Sequence, residues 1–284
     1  MCPYLKIGSL NIPMYSLLGA AGILLGWLFA WLRGRRSGMD PDDCAFSYMY
    51  GFIGALAGAK LLPILLNIPA MVSDLSLLTT DLNAFAAKYL SQMVFYGGLL
   101  GGLTGVFIYC RQYRIPFSSV EDAVIPAIPL AHSVARIGCF CAGCCYGKTT
   151  DAAWGVIFKN SIGAPNGIKL IPTQLIESAG LFLIFLFLTA FFGRHAAMQK
   201  SFVLKNRTAR KVSGKTGRSG AYRTLSFYLI SYGALRFFIE FLRGDSIRGF
   251  LGPLSTSQWL SLIAITSGIL LLRIRKSLSK EPAG

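Results

Sequence analysis

The chain has 284 residues, 54% hydrophobic and only 14% charged, with a formal net charge of +16. Its mean hydropathy of +0.54 excludes a water-soluble globule, because soluble domains carry about a quarter charged residues and can hide only as much apolar surface as their volume allows. Nucleic-acid binding is excluded as well, since Lys and Arg fall in short segments between apolar runs and no soluble module exists to carry a basic face.

A bilayer core is crossed by roughly 20 apolar helical residues. That ruler predicts an all-α, polytopic membrane protein with about seven transmembrane helices, near 14–32, 44–66, 94–110, 119–137, 173–192, 224–243 and 256–272. The first apolar run lacks a basic start and a small-residue cleavage site, so no cleavable signal peptide is expected. Arg33, Arg35 and Arg36 close the first span, and Arg111 and Arg114 follow the third. Between the fifth and sixth lie Arg194, Lys200, Lys205, Arg207, Arg210, Lys211, Lys215, Arg218 and Arg223, with no acidic residue among them. Arg273, Arg275, Lys276 and Lys280 follow the seventh.

If the spans alternate, every basic group falls on one side, and the positive-inside rule makes that side cytoplasmic. The N-terminus is then outside and the C-terminus cytoplasmic. Residues 1–284 read as a single transmembrane domain, and 194–223 as a basic cytoplasmic loop without a fixed fold, suited to anchoring and to anionic headgroups. In the third span Gly97, Gly98, Gly101, Gly102 and Gly105 suit close helix packing in lipid.

Ionisable residues inside spans are costly and mark function by default. The fourth span holds His132 and Arg136 one turn apart, and the sixth holds Arg236, Glu240 and Arg243 on one face. Gln174 and Glu177 begin the fifth span, and Lys60 lies inside the second. Arginines gathered near the outer leaflet, with a carboxylate to orient one of them, suit a phosphate group, because a guanidinium matches phosphate bidentately. The plainer alternative is an Arg236–Glu240 pair that staples helices together.

The segment 136–148 holds Cys139, Cys141, Cys144 and Cys145. The C-x-C-x-x-C-C spacing is too compressed for a zinc ribbon, so no metal is expected. Cys141 and Cys144 form a C-x-x-C that suits a disulfide or a redox role. Packing of small cysteines at a tight turn freed by Gly138, Gly143 and Gly147 is the simplest reading.

Motifs along nearly the whole chain resemble the bacterial prolipoprotein diacylglyceryl transferase family. They are Ile12-Pro-Met-Tyr15, Ala57-Gly-Ala-Lys60, Tyr96-Gly97-Gly98-Leu99, Arg136-Ile-Gly-Cys-Phe140, Trp154-Gly155, Pro172-Thr-Gln174-Leu-Ile-Glu177, Arg236-Phe-Phe-Ile-Glu240-Phe-Leu-Arg243 and Gln258-Trp259-Leu260-Ser261. The resemblance implies a multi-pass enzyme of the bacterial inner (cytoplasmic) membrane. Its reaction would move the diacylglyceryl group of phosphatidylglycerol onto the lipobox cysteine thiol of a preprolipoprotein, forming a thioether and releasing glycerol phosphate. The partners implied are phosphatidylglycerol, preprolipoprotein signal peptides and membrane lipids, with no cofactor.

By the same resemblance Arg136, Tyr15, Gly97, Gly98 and Arg243 would bind phosphatidylglycerol, and Arg236, Glu240, Tyr96 and His132 would serve catalysis. Tyr96 stands where the family has a His, Cys139 where it has an Asn, Cys144 where it has a Glu, and Lys60 where it has an Arg. A phenol with an ordinary pKa near 10 is a poor base at neutral pH; His132, one turn before Arg136, is the candidate substitute, with a packed polar residue as its plainer reading. Two other readings remain: a divergent paralogue acting on another acceptor or lipid, and a lipid-binding or transport protein that uses the same arginines without chemistry. The absence of repeated halves speaks against a transporter.

Overall fold

An apolar segment can leave water only after its backbone groups have bonded to one another, so this chain resolves almost entirely into helices. The computed structural model describes residues 3–90, 95–205, 222–245 and 250–278. A hairpin of β1 (Tyr4–Ile7) and β2 (Leu10–Pro13) leads into α1 (Met14–Ser37), and α2 (Pro41–Ser73) follows. Short helices α3 (Leu75–Thr80) and α4 (Leu82–Phe85) precede α5 (Phe95–Gln112), and then comes α6 (Glu121–Ala142). Strands β3 (Val156–Ile157) and β4 (Lys169–Leu170) form a two-stranded ribbon before α7 (Thr173–Lys205) and α8 (Arg223–Leu242). A last hairpin, β5 (Phe250–Leu251) with β6 (Leu254–Ser255), enters α9 (Thr256–Leu278).

Among the described residues, six helices are long and apolar enough to cross a bilayer: α1, α2, α6, α7, α8 and α9, with mean hydropathies from 1.4 to 1.9 over their best windows. The third predicted span coincides with α5, an 18-residue helix. Leu24, Ile53, Leu66, Phe107, Leu183 and Phe238 all stand exposed, an apolar exterior that water would not tolerate but lipid solvates. The protein is an all-α, multi-pass membrane protein.

Two units make up the chain, one of residues 42–117 and the other of residues 1–41 with 118–284. In the first, α2 meets α5 through glycine. A Cβ on Gly58 would strike the carbonyl oxygen of Gly97 and lie 2.9 Å from the Gly101 Cα, and one on Gly101 would strike the Gly54 carbonyl oxygen. Such backbone-to-backbone approach is how helices gain packing where lipid offers no hydrophobic drive. Helix α2 carries Pro63 and Pro69 inside it and outruns its predicted end at residue 66, so part of the predicted 67–93 loop is helical. The helix runs on through both prolines, as bilayer helices can, and Asn67 Nδ2 donates to the Pro63 carbonyl one turn back at 2.8 Å. Within the described part of that loop Asp74 takes Lys88 Nζ at 2.6 Å and the Tyr89 hydroxyl at 2.6 Å. Lys60 Nζ donates to the Leu90 carbonyl at 2.8 Å.

In the second unit α1 packs on α6, α6 on α7, α7 on α8 and α8 on α9. Arg33 is buried, unlike the loop charge its place at the end of a span suggests. Its Nε donates to the Asp122 carbonyl at 2.8 Å and its Nη1 to the Thr189 carbonyl at 3.3 Å, joining α1 to α6 and α7. The buried Glu121 opens α6 and caps α8 from across the unit. Its carboxylate accepts from the Tyr222 N–H at 2.7 Å and the Leu225 N–H at 2.8 Å, two donors that the first turn of α8 leaves unpaired. Helix α7 continues past its predicted end near residue 192 to Lys205, while 206–221, the centre of the predicted basic loop, lies outside the described residues.

Two stability changes are expected from this packing. Gly101→Ala should lower the thermal midpoint in detergent, by overpacking that costs about 1–3 kcal/mol, whereas Gly19→Ala, whose Cβ meets nothing within 4 Å, should leave it unchanged or raise it. Glu121→Ala should cost about 1–3 kcal/mol by leaving the N–H groups of Tyr222 and the buried Leu225 without this acceptor, read as the same kind of shift.

Candidate functional site

The charges read as misplaced in lipid gather where the last turns of α6 and α8 meet the first turns of α7. Arg136 lies on α6, and its Nη2 stands 3.0 Å from Glu177 Oε1 on α7. Glu177 is only 2% exposed, so an unpaired carboxylate there would be prohibitive, and the guanidinium is what makes its burial tolerable. On α8, Arg236 Nη2 lies 3.1 Å from Glu240 Oε2, one turn on, and also donates to Ser257 Oγ of α9 at 3.1 Å. The staple between helices is therefore Arg136–Glu177, whereas Arg236–Glu240 is a pair within one helix. Each guanidinium still holds a donor in reserve: Arg136 Nε and Arg236 Nη1 are buried and take no hydrogen-bond acceptor among the described residues. A buried N–H left in that state is costly, and an anionic ligand is what it suits.

Two rings belong to the same neighbourhood. His132, one turn before Arg136, has its ring centroid 6.0 Å from that of Tyr232 on α8. The positive charges of Arg136 and Arg236 both reach His132 and Tyr232, so the two guanidiniums share one neighbourhood. Tyr228 stacks on Tyr232 at 5.7 Å, and its hydroxyl is buried without a hydrogen-bond partner among the described residues. The arrangement offers two forked cations, a polar aromatic wall and an imidazole.

The turn from Gly143 to Pro172 braces the start of α7. Gln174 Nε2 donates to the Cys144 carbonyl at 2.7 Å, and Thr173 Oγ1 to the Cys145 carbonyl at 2.9 Å. Ser178 Oγ donates to the Ser133 carbonyl at 2.8 Å, locking α7 to α6 one helical turn from the Arg136–Glu177 pair. Phe158, Ala164 and Leu170 give the excursion a small core of its own, with Phe140 of α6 edge-on to Phe158 at 5.8 Å. The Cys145 thiol is pushed down by hydrogen bonds from Cys139 and Cys144 and then by the Arg136 and Arg243 charges, which together outweigh burial. The Cys144 thiol is pushed up because it keeps the proton in those same bonds.

The other predicted site residues fall elsewhere. Arg243 ends α8 and is held by Asp245, with Nε donating to Oδ1 at 3.0 Å and Nη2 to Oδ2; its backbone bridges to Gly147. Tyr15 opens α1 with an exposed phenol, its backbone pressed against Gly138 of α6. Tyr96, Gly97 and Gly98 start α5 in the other unit. There Gly97 is buried against Gly58, while the Tyr96 side chain lies outside the described residues. The Arg136–Glu177 pairing and the parts of Tyr232 and Ser257 are absent from the sequence reading. Only Glu177 had a signal, a carboxylate in the first turn of an apolar span.

A family model described as prolipoprotein diacylglyceryl transferase matches residues 3–274. A phosphatidylglycerol–prolipoprotein diacylglyceryl transferase of Clostridium tetani (strain Massachusetts / E88) is 37% identical over 269 residues, covering 95% of each chain. A second such transferase, numbered 2, from Clostridium perfringens (strain 13 / Type A) is 32% identical over 280 residues, 98% of this chain and 97% of its own. One from Rickettsia rickettsii (strain Sheila Smith) is 31% identical over 273 residues, 94% of this chain and 93% of its own. With the match running from the first hairpin into the last helix, the chain belongs to the prolipoprotein diacylglyceryl transferase family.

Proposed function

We propose that this protein transfers the diacylglyceryl group of phosphatidylglycerol to the lipobox cysteine of prolipoproteins in the cytoplasmic membrane of a bacterial cell. Beyond family membership, one observation carries the reading. Two largely buried guanidiniums, each tied to a carboxylate, each keep a donor without an acceptor among the described residues, and both charges act on His132 and Tyr232. A phosphodiester supplies the acceptors those donors lack.

In the reaction a sulfur–carbon bond forms at the glyceryl carbon as its carbon–oxygen bond to phosphate breaks. The leaving glycerol phosphate takes the electron pair, and the thiol proton passes to a base. Arg136 and Arg236 bind the phosphate and stabilise the charge that grows on it, an electrostatic contribution strengthened by the low dielectric. Glu177 and Glu240 hold the two forks in orientation. His132 is the base for the thiol proton in this scheme, and Tyr96 stands at the family's histidine position. By the family resemblance Tyr15 and Arg243, and in the other unit Gly97 and Gly98, are further candidates for binding phosphatidylglycerol. The basic segments support an orientation with the C-terminus and the 194–223 loop in the cytoplasm and the N-terminus outside, in a single domain of seven spans with the paired arginines toward the outer leaflet.

The assay follows peptide mass and glycerol phosphate release when purified protein is given phosphatidylglycerol and a lipobox peptide. Arg136→Ala and Arg236→Ala should each cut transfer by about a hundredfold or more while the protein still inserts in the membrane; wild-type transfer in either would remove the phosphate site. Arg236→Lys should fail nearly as badly, because a point charge cannot face Glu240, Ser257 and a ligand at once. Tyr96→His should raise the rate if the phenol has replaced a base, and an unchanged rate means that the thiol is activated elsewhere.

A further inference from the structure

The backbone of the cysteine-rich turn braces α7, but the transfer chemistry uses none of its thiols. Cys139 lies in the last turn of α6, after which Gly143, at φ 73, reverses the chain. Cys145 sits at φ 59, a left-handed conformation that a residue with a Cβ holds only under constraint from its surroundings. The reversal brings the Sγ atoms of Cys139, Cys144 and Cys145 within 4.8 Å of one another. All three are free, half-buried thiols, and Cys141 stands outside the trio.

We propose that Cys139, Cys144 and Cys145 form a structural site for one thiophilic divalent cation of the Zn2+ class. Zinc–thiolate bonds near 2.3 Å in tetrahedral geometry put the sulfurs about 4 Å apart, a spacing that rotation about the cysteine χ1 angles reaches from here. The backbone is already held for it: the Cys144 N–H donates to the Cys139 carbonyl at 3.1 Å, and Gln174 and Thr173 grip the Cys144 and Cys145 carbonyls. On binding, three S–H bonds give way to three metal–sulfur bonds and three protons leave to solvent, so the centre carries a single negative charge. The guanidiniums of Arg136 and Arg243 act on Cys145, and that of Arg136 on Cys139 too, which offsets that charge. Water or an added ligand fills the fourth position. A zinc ribbon needs two separated hooks, which the spacing here cannot make; a helix end and the reversed turn after it supply the donors instead. The cation then fastens the turn that braces α7 at Thr173 and Gln174, one turn before Glu177, and so steadies the partner of Arg136.

The test is a Co2+ titration of the reduced, full-length protein in detergent. A thiolate-to-cobalt charge-transfer band saturating at one metal per chain, bleached by Zn2+, is the expected result. That band should vanish in Cys139→Ser and Cys144→Ser and persist in Cys141→Ser. Absence of a saturable band in the wild type, or one that survives both substitutions, overturns the proposal. Because a serine variant can fail by misfolding, the wild type is also alkylated with and without Zn2+ and mass-mapped. Zinc should protect Cys139, Cys144 and Cys145 while Cys141 is still labelled. Equal labelling with and without zinc, or a disulfide within the trio that excludes the metal, contradicts it.

Discussion

Burying a guanidinium in a bundle surrounded by lipid is the constraint on which the rest of the molecule depends. A charge there is uphill by several kcal/mol unless it is paired and hydrogen-bonded. Arg136 and Arg236 survive because Glu177 and Glu240 stand at 3.0 and 3.1 Å from them. The pairing is incomplete, and the incompleteness is the functional feature. Replacing each pair by packed apolar side chains would serve stability as well or better, so unspent donors kept at this depth point to an anion brought in by the substrate.

Holding such pairs in register requires a stiff frame around them. Ser178 fastens α7 to α6, Gln174 and Thr173 fasten α7 to the cysteine turn, and Ser257 brings α9 to Arg236. At the opposite end of the same helices, Glu121 caps α8 and Arg33 bonds the carbonyls of Asp122 and Thr189. Polar groups thus close both ends of an apolar bundle. Such closure sets helix rotation and register more sharply than apolar packing does in a lipid solvent, where helices gain little by hiding leucine from leucine.

The helical plan was legible in the sequence because hydropathy registers a physical necessity: a span must satisfy its own backbone, so long apolar runs become helices. The end of α2 was not, since the length that crosses a bilayer sets no stop for a helix that runs on through Pro63 and Pro69 to Ser73. Arg33 read as a loop charge because only tertiary neighbours reveal that two carbonyls take up its donors. The one-turn spacing of Arg236 and Glu240 could be read from helical periodicity, whereas Arg136 and Glu177 come from different helices and no local rule pairs them. The cysteine trio escaped a spacing rule made for separated hooks, because a left-handed Cys145 folds the turn back on the helix end.

The central claim is that Arg136 and Arg236 together hold a lipid phosphate. Native mass spectrometry of the purified protein, titrated with phosphatidylglycerol against phosphatidylcholine, tests it without requiring turnover. Saturable binding of one phosphatidylglycerol to the wild type, with the preference lost in an Arg136→Gln/Arg236→Gln variant that remains folded, is what the account predicts. Equal lipid preference in the two proteins would contradict it and leave the buried arginines as structural staples alone.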